Sequence, residues 1–216
     1  MAQGRLAISA PIAAWLDRLN APPDAVAAIL ADHAGHPRAQ MMTHPDVGRL
    51  LAALVRSSGG RRVLEIGTFV GVSAVWMAGA LAPGGTLDTL EIDDATAEIA
   101  EGNIRRGGVA DRVTVHRGAA LTTLTGFADD TYELAYIDAD KPGYPAYLRE
   151  CTRLVRPGGV IVADNLLLGG RAADPDSTDE GAMAMHATAE HAASDPRLTT
   201  AALGIGDGVL LCVVGP

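Results

Sequence analysis

Cysteine, positive charge and long apolar runs are all in short supply in this chain of 216 residues. The two cysteines, Cys151 and Cys212, stand far apart and in no CxxC pattern. A disulfide scaffold and a cysteine-built zinc site are therefore excluded, and a reduced, cytoplasmic setting is the expectation. Lysine and arginine number 17 against 26 aspartates and glutamates, a formal net charge of −9. A nucleic-acid coat or an anionic-membrane binder needs a positive field, so this balance weighs against both. No apolar run is long enough to span a membrane. The stretch after Arg5, LAISAPIAAWL, is met at once by Asp17 and Arg18 and reads as an amphipathic helix, not a targeting segment. Signatures of a serine-hydrolase elbow, a P-loop and a zinc-protease helix are also missing.

What is present suits one α/β domain over 1–216, with 48% hydrophobic residues to build its core. Residues 1–57 read as helices, broken at Pro22-Pro23, with Asp24 expected to cap the second helix and Pro45 to open the third. From Arg62 the period changes. Strands are predicted at 62–67, 86–91, 112–116, 132–137 and 160–163, alternating with helices at 95–106, 144–154 and 183–193. A closing pair of strands follows at 198–203 and 208–213. Continuous apolar strands in such alternation predict a doubly wound, mostly parallel, seven-stranded sheet, with one antiparallel strand in the closing hairpin. The segment 168–181 is the one long loop.

The chemistry gathers at predicted strand ends, where open parallel sheets bind ligands. Glu65-Ile66-Gly67-Thr68-Phe69-Val70-Gly71 leaves the first strand as a glycine turn. Gly67 permits close backbone approach to a ligand and Gly71 close packing of the next helix. Phe69 stands where a dinucleotide fingerprint needs glycine, which disfavours NAD. Glu91 ends the second strand and can accept both ribose hydroxyls of a nucleoside. A nucleoside without a pyrophosphate suggests S-adenosylmethionine. Asp93 and Asp94 read as helix caps. Asp138 and the pair Asp164-Asn165 close the fourth and fifth strands. If those strands are neighbours, three hard oxygen donors converge and suit Mg²⁺ or another divalent cation such as Ca²⁺ or Mn²⁺. Lys141, three residues after Asp138, is a candidate base.

With these residues in view, the chain resembles the cation-dependent small-molecule O-methyltransferases, the group of catechol and caffeoyl-CoA O-methyltransferases. The matching stretches are VLEIGTFVGVSA (63–74), TLEID (89–93), GVADRVTVHRGAAL (108–121), YIDADKPGY (136–144), LVRPGGVIVADN (154–165) and IGDGVLLC (205–212). The resemblance implies a Rossmann-like methyltransferase core over 58–216 behind an N-terminal helical segment, 1–57, that covers the site or joins two copies. It implies that Thr43, Glu65, Gly67, Thr68, Ser73, Glu91, Ala120, Asp138 and Asp140 surround S-adenosylmethionine. It implies further that Asp138, Asp164 and Asn165 hold the metal, that Lys141 is the catalytic base, and that the protein is a homodimer. The acceptor it implies is a catechol-like small molecule bearing the hydroxyl to be methylated. Leu166-Leu167-Leu168-Gly169-Gly170 departs from the LWNG of the plant members that use CoA esters, which counts against such an ester.

Two rival readings keep much of this. One is a tRNA wobble-nucleoside hydroxyl methyltransferase on the same fold, which the charge disfavours. The other is a non-catalytic cofactor-binding protein, which the acids and Lys141 argue against. Several residues read as structural: His33 and His36 on one helix face, His186 and His191, Met41 and Met42 as packing, Trp76 as core and Asp207 as a hairpin turn. Trp15 reads as a dimer or lid contact.

Overall fold

The seven apolar runs become the strands of one sheet. The structure is a computed structural model, and residues 8–216 are described. Helices α1 (Ala10–Leu19), α2 (Asp24–Asp32) and α3 (Pro45–Ser57) precede β1 (Arg62–Ile66) and α4 (Val72–Ala78). β2 (Thr86–Glu91), α5 (Asp94–Arg106), β3 (Val113–Arg117) and α6 (Ala120–Leu124) follow. The second half runs through β4 (Tyr132–Ile137), α7 (Tyr144–Leu154), β5 (Val155–Asp164), α8 (Glu180–Ser194), β6 (Leu198–Leu203) and β7 (Val209–Val214). The strand order is β3-β2-β1-β4-β5-β7-β6. β7 alone runs against its neighbours β5 and β6; the other pairings are parallel.

Alternation along each strand sends side chains to two separate cores. Val63 of β1 joins Leu51, Val55, Trp76 and Ile104, under α3, α4 and α5. Leu64 joins Leu148, Cys151 and Met185, under α7 and α8. A sheet covered on both faces is why its central strands read as unbroken apolar runs.

The order places β1 beside β4, although β2 and β3 lie between them in the chain. Here the winding reverses, and the strand ends splay apart into a crevice. The predicted neighbouring of the fourth and fifth strands holds, with Ile137 level with Ala163.

Some expectations are corrected. β5, expected over 160–163, begins at Val155, because the Arg156 to Gly159 stretch runs in the strand with a register shift between Tyr132 and Leu134. α8 starts at Glu180, capped by Asp179, whose side chain accepts the Ala182 N–H. Asp24 is the first residue of α2 and Pro23 its cap, so the carboxylate sits in the first turn, where the helix dipole favours it. His33 and His36 do not share a helix face, because α2 ends at Asp32. The part of the N-terminal helical reading that falls on residues 1–7 lies outside the described residues.

Candidate functional site

A cavity of about 740 Å³ opens over the strand ends at the crevice. Its first wall comes from the turn after β1. Gly67, at φ +96°, could carry no side chain, since a Cβ there would fall 2.0 Å from the Asp138 carbonyl oxygen. The expected close approach is therefore made first to the protein's own β4 exit. Gly71, at φ +85°, is the N-cap of α4; a Cβ would meet Ala100 only at ordinary contact distance, so its backbone angle, not helix packing, calls for glycine.

Phe69 adopts φ +48°, and its N–H donates to Glu91 Oε2 at 2.8 Å. The Asp93 N–H donates to Glu91 Oε1 at 3.0 Å. Two backbone donors thus fix the carboxylate at the end of β2, where Glu91 lines the cavity. Asp93 caps α5 as expected, accepting the Thr96 N–H. Thr43, Thr68, Ser73 and Ala120 also line the cavity, from the segment before α3, the glycine turn, α4 and the start of α6.

Glu65 behaves differently. It is fully buried behind the wall, and its Oε2 accepts the Thr89 hydroxyl at 2.5 Å. Burial pushes its carboxyl up to about 8, against hydrogen bonds from Ser73 and Thr89. Its Oε1 has no partner among the described residues.

Across the crevice, Asp138, Asp140, Lys141, Asp164 and Asn165 line the same cavity. Asp138 and Asp164 both approach the buried Tyr136 hydroxyl, at 3.5 and 2.6 Å. Burial, and then the charge of Asp138, push the Asp164 carboxyl up to about 6. Asn165 has a left-handed backbone, φ +58°, which turns the chain sharply at the strand end. The Lys141 Nζ donates to Asp138 Oδ1 at 3.2 Å and to the Tyr144 hydroxyl at 2.8 Å. That tyrosine oxygen is also 3.1 Å from the carbonyls of Ile137 and Asp164, tying the ends of β4 and β5 together. Asp140 is engaged locally: Oδ1 accepts the Tyr147 hydroxyl at 2.5 Å and Oδ2 the Gly143 N–H at 3.1 Å.

The cavity thus gathers every site residue expected from the sequence except Glu65, which lies beneath its floor. It also includes residues not singled out as site candidates. Ile92 is 75% exposed beside Glu91, and an apolar residue directly after a strand-end carboxylate was the available signal. Arg38, Tyr147 and Leu168 carried no local pattern. Met41 and Asp207, expected as packing and turn residues, border the cavity as well. Asp207 does turn the β6–β7 hairpin, and its carboxylate accepts the Gly169 N–H at 2.8 Å, pinning the loop after β5. Trp76 is core, as expected.

The doubly wound sheet and its strand-end crevice define a Rossmann-like α/β protein, with the Glu91 carboxylate facing a second set of acids across the cavity. The model of the family described as O-methyltransferase matches residues 23–214. A Mycobacterium avium protein bearing an O-methyltransferase name is 40% identical over 170 residues, covering 78% of this chain and 77% of that one. Among solved structures, the O-methyltransferase TomG from Streptomyces achromogenes, involved in tomaymycin synthesis and in complex with S-adenosylmethionine, is 32% identical with a TM-score of 0.86. The match covers 95% of this chain and 96% of TomG. An O-methyltransferase from Bacillus cereus in complex with S-adenosylhomocysteine is 33% identical with a TM-score of 0.87, covering 94% and 97%. The chain belongs to the O-methyltransferase family of S-adenosylmethionine-dependent enzymes.

Proposed function

We propose that the protein transfers the methyl group of S-adenosylmethionine to a hydroxyl of a catechol-like small molecule, with a divalent cation, Mg²⁺ foremost, held by Asp138, Asp164 and Asn165. The observation that carries this reading is the pair of acids at adjoining strand ends. Burial and mutual repulsion hold the Asp164 proton abnormally tightly, which a cation would relieve. The third donor in this reading is the Asn165 amide, which lines the cavity beside Asp164; among the described residues no three His, Cys, Asp or Glu side chains cluster as a metal site. Two carboxylates and an amide are hard oxygen donors, which suit Mg²⁺ and leave positions open for substrate oxygens.

The cofactor fits the first wall. Its ribose hydroxyls suit the fixed oxygens of Glu91, which line the cavity. The cavity is lined by Glu91, Asp93, Asp138, Asp140, Asp164 and Asp207 against Arg38 and Lys141. Such a concave negative lining favours a sulfonium and a dication and opposes a polyanionic acceptor such as tRNA or a CoA ester.

When bound, the cofactor would supply an electrophilic methyl, and the cation would lower the pKa of an acceptor hydroxyl. Lys141, held by Asp138 and Tyr144, stands to receive the proton released from that hydroxyl. Thr43 and Met41 close the cavity from the N-terminal side, and Leu168 from the loop after β5, which limits water. Holding both reactants at adjacent strand ends supplies orientation. Two copies are the proposed assembly and the cytoplasm the proposed setting; no described helix is long and apolar enough to cross a membrane.

The test is mass spectrometry of a catechol panel incubated with protein and S-adenosylmethionine, with Mg²⁺ or with EDTA. Methylated product that EDTA abolishes supports the reading; product that persists in EDTA removes the cation from it. Asp138→Ala should lose metal-dependent turnover while keeping cofactor binding.

A further inference from the structure

Beneath the two strand-end acids lies a phenol that methyl transfer itself does not use. Tyr136 lies on β4, and Asp138 follows the strand's last residue, Ile137, with its carboxylate near the Tyr136 hydroxyl. It is fully buried, and its hydroxyl lies on the protein side of both acids, 2.6 Å from Asp164 Oδ2 and 3.5 Å from Asp138 Oδ2. The shorter distance is that of a hydroxyl donating to a charged acceptor. The phenol hydroxyl is the donor in that bond, and Asp164 Oδ2 accepts it. The other Asp164 oxygen, Oδ1, accepts the Asn165 N–H at 2.7 Å.

A carboxylate can grip a cation with one oxygen or with both. A two-oxygen grip turns both oxygens equally toward the ion. A donor fixed by packing on the interior side of Oδ2 resists that rotation. Calcium takes about six to eight oxygens and readily accepts both from one carboxylate, whereas magnesium takes about six in strict octahedral geometry, usually one per carboxylate.

We propose that the Tyr136 hydroxyl holds Asp164 to a one-oxygen grip and so sets the site for magnesium-sized cations over calcium. The proposal rests on the reading of Asp138, Asp164 and Asn165 as cation ligands. Tyr136 acts through Asp164 as a positioning residue. Tyr136→Phe keeps the ring in its place and removes only the donor.

The experiment uses the full chain, stripped of metal with a chelator and saturated with S-adenosylhomocysteine, and reads binding, not turnover. MgCl₂ and CaCl₂ are titrated separately into wild type and Tyr136→Phe by calorimetry. The expected result is an Mg²⁺-to-Ca²⁺ affinity ratio about tenfold lower in the variant, a usual size for losing a hydrogen bond to a metal ligand. An unchanged ratio, with both ions still bound, overturns the role of Tyr136 and leaves the cation site standing. If neither ion binds wild type, the cation reading fails and takes this proposal with it. The S-adenosylhomocysteine affinity of the variant reports whether it folds. Should it not fold, wild type alone decides: calcium bound more tightly than magnesium overturns the proposal, and magnesium bound more tightly supports it.

Discussion

At the scale of single residues, the site's two glutamates are held in opposite ways. Glu91 is fixed by two backbone N–H groups and lines the cavity. Glu91→Ala should weaken S-adenosylhomocysteine binding by about tenfold to a hundredfold, the loss of one or two charge-assisted hydrogen bonds, and leave cation binding in place. Calorimetry on the variant checks both. Glu65 is buried and its folded carboxyl is raised to about 8 from an ordinary 4.5. A raised carboxyl contributes stability that is complete below the unfolded value and is lost as pH rises through the folded one. Thermal melts of the cofactor-free protein should therefore show wild type losing ground to Glu65→Gln between pH 5 and about 8. Parallel melting curves across that range would contradict the assignment. Sequence position could not distinguish the two residues, because both are glutamates at the ends of apolar strands; only depth separates them.

At the scale of elements, the β1 turn and the β4 exit are in backbone contact. Gly67→Ala places a methyl group against the Asp138 carbonyl at a positive φ. It should destabilise the fold by about 2 kcal/mol or more, read by chemical denaturation, and displace the acids with the turn. The strands were legible in the sequence because each is a short apolar run after a glycine or a charged segment, and Glu91, Asp138, Asp164 and Asn165 were legible as strand-end polar residues. The long β5 was not, since Arg156-Pro157-Gly158-Gly159 has turn chemistry that the register shift overrides. Asp140 shows the same limit. Motif position puts it beside the cofactor, and it does border the cavity, yet both of its oxygens are engaged by Tyr147 and Gly143. Arg38 and Leu168 reach the cavity from distant segments, which no local spacing encodes.

At the scale of the whole molecule, α1 is an amphipathic helix with no buried residue, and Trp15 and Leu19 are more than half exposed. An apolar face of this kind fits the proposed second copy. Trp15→Glu combined with Leu19→Glu should convert a dimer to a monomer in sedimentation, and an unchanged mass would locate any pairing elsewhere. The reversal of winding between β1 and β4 also divides the labour along the chain. Glu91 and the glycine turn come from 62–120, and Asp138, Lys141, Asp164 and the pinned loop from 132–208. On the proposed reading, a single genetic exchange in the connection after α6 would replace the wall of acids while inheriting Glu91 and the glycine turn intact. A fold wound in this order would let recombination diversify one wall of the cavity without rebuilding the other.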